Sequence, residues 1–359
     1  MMKCPNHEHR VASDILQVCS VCIVGDSKIS GKIDDTHASI RKKAGLVPRI
    51  PTEGMIVCPD CGNHCKLQVG EIGFCHNRVA TSSVIGNRYR EAAPVSWYYD
   101  PLPTNCVADW VCPISKMKEL RNERKRFKNL AVFYGSCNSN CLFCQNASYQ
   151  EMMRTGAPLM TPEDLARVVD DATACVCYFG GDPACNPQHS IEVSRILLNG
   201  YSMPICYETN GRISSKWLPD IVDTVKRSRG TIKFDLKAIT PKLYRALTGT
   251  ENAIVIDNFR TLAEIGEQRE EELLIASILL IPEYVNLEEI ERLCEFIAEC
   301  DPSIPTALLG FAPKHYMRDL PRTSMNHAHA ALHLAKACGL ENVRIGNQGL
   351  LTREDYNYE

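Results

Sequence analysis

From residue 130 onward the chain alternates short apolar runs with longer amphipathic stretches. Runs at 130–134, 175–179, 204–207, 231–236, 273–281, 306–311 and 343–345 have the length and composition of strands. The stretches between them carry recognisable helix starts. Thr161-Pro162-Glu163-Asp164 puts a capping threonine ahead of a proline at the first helical position, and Thr240-Pro241 repeats the device. Asn286 with Glu289 predicts a capping-box-like start to a helix whose Leu287, Ile290, Leu293 and Ile297 share a face. Residues 324–338, stopped by Gly339, predict another. Six or seven strands, each followed by a helix, predict a parallel βα architecture, either an open sheet or a barrel. In both, ligands gather beyond the C-terminal ends of the strands.

Before residue 130 the pattern is different. Residues 24–52 are polar and read as a connector between two groups of cysteines, and the 359-residue chain holds 19 cysteines in all. Nine precede residue 113, three crowd into residues 137–144, and seven are scattered. Residues 1–10 are charged and polar, without the apolar core of a secretory signal. The longest apolar run, 273–281, is far short of the ~20 residues that span a bilayer. A cytoplasmic protein without membrane contact is therefore expected, and there cysteine clusters hold metal or do chemistry more often than they pair. Hydrophobic residues at 45% and charged residues at 23% allow a sizeable core. With 40 basic against 43 acidic side chains, a net charge of −3 gives no overall pull toward nucleic acid.

The segment from Tyr134 to Asn146 follows the first of these strands and spaces its cysteines as Cys137-x3-Cys141-x2-Cys144. Clusters held wholly by protein take four cysteines. Three leave one iron of a [4Fe-4S] cubane open to an outside ligand. Zinc would want a fourth protein ligand nearby, and the next 30 residues offer neither Cys nor His.

This spacing, with aromatic Phe143 before the last cysteine, resembles the signature of the radical S-adenosylmethionine (radical SAM) superfamily. Gly180-Gly181-Asp182-Pro183 looks like the family's Gly-Gly-Glu-Pro loop, whose backbone binds the methionine amino group of SAM. Glu208-Thr209-Asn210-Gly211 resembles the Asp-Thr-Asn-Gly stretch of glycyl-radical-enzyme activases. Asp235-Leu236-Lys237 looks like their Asp-Leu-Lys motif, with Tyr244 and Gly249 downstream. The resemblance implies a partial (βα)6 TIM-type barrel over 130–350. It also implies a [4Fe-4S] cluster on Cys137, Cys141 and Cys144 as the catalytic group. Reductive cleavage of SAM there gives a 5′-deoxyadenosyl radical that abstracts hydrogen. Phe143, Gly180, Gly181, Asp182, Pro183, Glu208, Thr209, Asn210, Asp235 and Lys237 become the cofactor-binding residues. An electron donor such as ferredoxin or flavodoxin is the implied partner, and a protein substrate fits the activase motifs.

The motifs are most similar to those of the activating-enzyme-like branch that includes pyruvate formate-lyase activase and the AmmeMemoRadiSam proteins. Cys58, Cys61, Cys65, Gly70, Gly73, Cys75 and Arg78 upstream, and Phe311-Ala312-Pro313 and Asp319-Leu320-Pro321 downstream, continue the likeness. Two positions depart from it. Ala307 and Gly310 stand where members of the branch often carry His and Arg, and the trailing Cys-Pro-x-Cys of many AmmeMemoRadiSam proteins is absent. Functions carried by those groups do not transfer, which separates the family from the particular reaction.

The N-terminal cysteines suggest two further sites. Cys58, Cys61, Cys65 and Cys75 make a four-thiol set suited to zinc or to an auxiliary iron–sulfur cluster, with Cys106 and Cys112 either joining it or forming a redox pair. Cys4-x2-His7 and Cys19-x2-Cys22 resemble the two halves of a small zinc ribbon, with His9 as the alternative to His7. Cys175, Cys177, Cys206, Cys294, Cys300 and Cys338 read as small core residues, and Cys185 falls beside the Gly-Gly loop. The basic run 116–128 reads as a solvated helix face, with a nucleic-acid contact the alternative. The expected organisation is a zinc-ribbon-like segment and linker (1–50), a Cys-rich accessory region (51–129), the barrel (130–350) and a tail (351–359). Two rival functions remain open at this point: a radical SAM enzyme modifying RNA, a peptide or a small metabolite, and a non-catalytic metal-binding scaffold.

Overall fold

The computed structural model describes residues 2–102, 106–112, 114, 127–266 and 272–356. The basic run 116–128 therefore lies outside the described residues except for its last two positions. The chain opens with a hairpin of β1 (Met2–Cys4) and β2 (His7–Ala12), then helices α1 (Ser20–Gly25) and α2 (Ile29–Lys43). Two more hairpins follow, β3 (Ile56–Val57) with β4 (Lys66–Leu67), and β5 (Arg78–Thr81) with β6 (Val84–Asn87).

The centre is a nine-stranded sheet. It comprises β7 (Ala93–Pro101), β8 (Lys128–Tyr134), β9 (Leu159–Met160), β10 (Thr173–Gly180), β11 (Ile205–Thr209), β12 (Ile232–Asp235), β13 (Leu274–Leu280), β14 (Thr306–Gly310) and β15 (Val343–Gly346). The order is β15-β14-β13-β12-β11-β10-β8-β7-β9. From β8 to β15, with β9 set aside, seven strands run parallel and each adds beside its predecessor, the progression of a barrel wall left open. The α/β class and the parallel run are those the apolar spacing predicts. β7 pairs antiparallel with β8 from Val95 to Pro101 and extends the wall. It escapes the sequence reading because Pro94 and Pro101 punctuate it, and prolines argue against a strand paired on both sides. Here β9 covers only Ala93 and Pro94.

The second addition is α2, inside the stretch read as a connector. Its buried stripe is Ile33, His37, Ile40 and Arg41. Two of those four positions are polar, so hydrophobic periodicity passes over a helix whose buried face partly hydrogen-bonds.

The predicted starts are in place. Thr161 closes a full capping box with Asp164, and Ser324 accepts from the His327 amide. Asn286 caps its helix, Leu287–Cys300, through the Glu289 amide, but the Glu289 carboxylate turns elsewhere. It accepts from the backbone amides of Ile239 and Thr240 (2.6 and 2.9 Å) and from the Thr240 hydroxyl (2.6 Å). One carboxylate thus satisfies two amides of the loop that leaves β12, which find no backbone acceptor among the described residues.

Candidate active site

The loop after β8 carries Cys137, Cys141 and Cys144, and other elements hold it by its backbone. The Asn140 and Leu142 amides donate to the Thr248 and Leu247 carbonyls (2.8 and 3.0 Å) at the end of helix Pro241–Thr248. The Asn140 side-chain amide meets His37 Nδ1 of α2 at 2.9 Å, and Asn63 donates to the Asn138 carbonyl (2.9 Å). At the end of β10, the Asp182 amide donates to the Ser136 carbonyl (2.8 Å). Gly181 has φ +61°, and a Cβ there would lie 2.1 Å from the Tyr134 carbonyl oxygen and 2.5 Å from that of Ser136. Only glycine lets the two loops approach this closely.

All three thiols face one cavity of about 210 Å³. Phe143, Gly180, Gly181, Asp182, Glu208, Thr209, Asn210, Asp235 and Lys237 line it too. Pro183 sits immediately behind, in the short helix Pro183–Cys185. Burial pushes all three thiols up, Cys141 to about 12 despite Lys237 pulling the other way. No fourth thiol and no imidazole lines the cavity among the described residues. One buried and two half-buried cysteines around a space open to a further ligand fit a metal cluster that keeps one position free.

The polar residues divide into frame and floor. Burial raises the Asp182 carboxyl to about 6, and it accepts from the Asn210 amide (2.8 Å), the Ala184 amide (2.9 Å) and the Thr209 hydroxyl (3.1 Å), tying β10 to β11. Asn210 Nδ2 reaches Asn138 Oδ1 at 2.7 Å and lies 3.9 Å from the Cys137 sulfur. Lys237 pairs with Asp235 at 2.9 Å, and Ser277 donates to the same carboxylate. Burial alone would lower the Lys237 ammonium, but Asp235 and Cys141 hold it above its usual range.

Below these lies a group the sequence reading missed. Lys233 is buried at 4% exposure, 3.3 Å from the Cys177 sulfur and 3.8 Å from Glu208. Burial lifts Glu208 to about 7 against the pull of Lys233. Cys106 packs against Ala108, Val111 and Ile275 and lies in the field of Lys233, and Cys112 lies in that of Cys175. Cys106 and Cys112 thus join the barrel interior rather than the four-thiol set upstream. Cys177 and Cys206 are buried register partners on β10 and β11, and Cys177 also accepts from the Lys233 ammonium. The signal available was a period-two one: Lys233 shares a strand face with Asp235.

Upstream, Cys58, Cys61, Cys65 and Cys75 are all buried, and the barrel contributes a fifth cysteine. Cys185 lies beside the thiols of both Cys61 and Cys75, and this neighbour holds Cys75 down to about 6. Its position beside the Gly-Gly loop is the reason: Asn77 donates to the Cys185 carbonyl (3.0 Å) and also bonds Asn186, which in turn bonds Ser136. Arg41 lies between the two thiol groups, 1% exposed, stacked 3.5 Å over the Phe74 ring and within the field of Cys137, Cys75 and Cys65. His76 accepts from the Val47 amide (2.7 Å). At the N-terminus, ligand atoms of Cys4, His7, Cys19 and Cys22 all lie within 4.8 Å of one another, and His9 stands outside the group.

An open-barrel α/β enzyme working at loop thiols is the class that this fold and cavity point to. Residues 131–297 match the radical SAM superfamily, and a match to that superfamily indicates an enzyme. Such enzymes work with a [4Fe-4S] cluster and S-adenosylmethionine and take electrons from a reducing partner. An uncharacterized protein of Methanocaldococcus jannaschii is 23% identical over 302 residues, covering 82% of each chain. The indoleacetate decarboxylase activating enzyme of Tractidigestivibacter scatoligenes is 27% identical over 165 residues, 44% of this chain and 49% of that one. Among solved structures, a domain of pyruvate-formate lyase-activating enzyme from Bacteroides vulgatus is similar with a TM-score of 0.38 at 20% identity, covering 48% of this chain and 98% of that one. Streptococcus suis SuiB bound to S-adenosylmethionine is similar with a TM-score of 0.47 at 15% identity, covering 65% of this chain and 54% of that one. No helix among the described residues is long and apolar enough to cross a membrane.

Proposed function

We propose that Cys137, Cys141 and Cys144 hold the [4Fe-4S] cluster, and that the enzyme removes a hydrogen atom from a glycine of a partner protein, as a glycyl-radical-enzyme activase. The observation that carries this reading is the convergence of three thiols, the Gly180-Gly181 turn and the Asp235–Lys237 pair on one cavity without a fourth thiol or imidazole among the described residues. When bound, the cluster and SAM supply one-electron cleavage of a carbon–sulfur bond and hence an acceptor for a hydrogen atom.

The chain's own residues position and shield. The Gly180-Gly181 backbone lines the cavity, where a ligand's amino group would meet it. Asn210 and Thr209 fix the neighbouring strand end through Asp182, and the Lys237 ammonium, anchored by Asp235, provides a fixed charge for a carboxylate. Phe143, buried at 4%, excludes water from one side of the thiols. Cys58, Cys61, Cys65 and Cys75, joined by Cys185, provide a second metal centre in this reading, and ferredoxin or flavodoxin the electron. The Asp235-Leu236-Lys237 motif with Tyr244 and Gly249, and the partial match to an indoleacetate decarboxylase activating enzyme, favour the activase over other radical SAM reactions.

The test is anaerobic reconstitution with iron and sulfide, reduction with dithionite, and quantification of 5′-deoxyadenosine and methionine. Wild type forms both, and the Cys137, Cys141 and Cys144 triple alanine variant forms neither. Electron paramagnetic resonance of mixtures with candidate glycyl-radical partners then decides the substrate. A protein-based doublet supports the activase; SAM cleavage with no such doublet from any partner removes it.

A further inference from the structure

We infer that Cys4, His7, Cys19 and Cys22 bind one structural zinc ion, and that this ion clamps the N-terminal segment onto a loop at the barrel mouth. The sulfurs of Cys4 and Cys22 are 3.6 Å apart and those of Cys19 and Cys22 are 3.7 Å apart. His7 Nδ1 lies 3.2, 3.3 and 3.9 Å from the sulfurs of Cys22, Cys19 and Cys4. With Zn–S at ~2.3 Å and Zn–N at ~2.0–2.1 Å, a tetrahedral site requires S–S edges of ~3.8 Å and S–N edges of ~3.6 Å. Five of the six edges stand within about 0.4 Å of that tetrahedron, and the sixth, Cys4 to Cys19, is within 4.8 Å. An iron–sulfur cubane needs its thiolates further apart, because each takes a different iron. Three thiolates and an imidazole, with no position left open, are a donor set for structural zinc. Asn6 Nδ2, 3.4 Å from the Cys22 sulfur, supplies an outer hydrogen bond.

The segment needs such a staple. β1 has three residues, and two of them are exposed. A two-stranded hairpin of that size does not hold itself together in water. Once held, it grips the loop after β13. Glu283, 3% exposed and at φ +70°, accepts from the Ser20 amide (3.2 Å), the Ser20 hydroxyl (3.0 Å) and Arg10 (3.2 Å). The Tyr284 hydroxyl accepts from the Ser13 amide (2.9 Å) and donates to the Val18 carbonyl (3.0 Å). Ser13 and Val18 lie between the two ligand pairs, so the metal and the barrel loop hold the same stretch from opposite ends.

The test counts metals in the full chain by inductively coupled plasma mass spectrometry and maps amide hydrogen exchange. The Cys4→Ser/Cys19→Ser variant is expected to lose one zinc per chain relative to wild type, whereas the Cys137, Cys141 and Cys144 triple alanine variant keeps it. Exchange in residues 2–25 and 281–286 should rise together when the ion is lost. The His7→Cys variant retains the zinc because it keeps a four-ligand set, which guards against a fold-level failure of the serine variant. Unchanged zinc in the serine variant, or iron in place of zinc, overturns the assignment. Faster exchange at 2–25 with none at 281–286 overturns the clamp.

Discussion

Glu208 and Lys233 carry the clearest consequence at the scale of single residues. Burial raises the Glu208 carboxyl to about 7 from an ordinary 4.5, while Lys233 at 3.8 Å resists the rise. A carboxyl that holds its proton more tightly when folded stabilises the native state at the acid end. That contribution fades as pH climbs from 4.5 through 7. The interval corresponds to an upper bound of about 3 kcal/mol. Glu208→Gln, which cannot ionise, should therefore lose less stability between pH 5 and pH 8 than wild type does, by about 2 kcal/mol. Urea unfolding at the two pH values measures the difference, and parallel pH profiles for the two proteins would refute it. Asp235 was readable from its motif, but Lys233, two residues earlier on the same strand face, has no motif. Its meaning comes from Cys177 and Glu208 on strands distant in sequence.

Local signals read true at the scale of elements wherever they are spent locally. The Thr161 capping box and the Ser324 cap are examples, since each partner lies three residues away. Glu289 is the contrary case. Its spacing from Asn286 predicts a reciprocal cap, yet its carboxylate crosses to the loop after β12. Helix α2 fails to show in the sequence for a related reason: His37 bonds the Ala246 carbonyl and Asn140, and Arg41 bonds the carbonyls of Val47 and Phe74, all tertiary partners. The same holds for Cys185, whose role beside Cys61 and Cys75 depends on two segments over 100 residues apart. Glu289→Ala should leave the Ile239 and Thr240 amides without their acceptor and cost about 2–4 kcal/mol, whereas Glu289→Gln, which retains one acceptor, should cost less than half of that. Equal urea midpoints for the alanine variant and wild type, at unchanged m, would show that the carboxylate is dispensable.

For the whole molecule, the distribution of apolar burial decides how the chain unfolds. Cys4, Leu16, Ile23, Ile33 and Ile40 belong to the same contiguous core as Phe234, Leu247 and Tyr284 of the barrel. Helices α1 and α2 both pack on Pro241–Thr248, the helix whose last carbonyls hold the cysteine loop. The N-terminal segment is therefore built into the barrel wall, although its composition reads as a separate small module. Arg78 and Asp60 bind the next region as firmly, with an ion pair of 2.6 Å at 3% and 11% side-chain exposure, and the Trp217 indole donates to the same carboxylate at 3.0 Å. Segments that share a core and buried ion pairs lose them together. Calorimetry of the metal-loaded protein should thus give one endotherm, with tryptophan fluorescence and far-ultraviolet circular dichroism falling at the same temperature. Deleting residues 2–25 should lower that temperature for the whole barrel, because it uncovers Tyr284 and removes the partners of Glu283. Two resolved endotherms in the intact chain, with the deletion abolishing only the first, would instead establish the N-terminal segment as an independent unit.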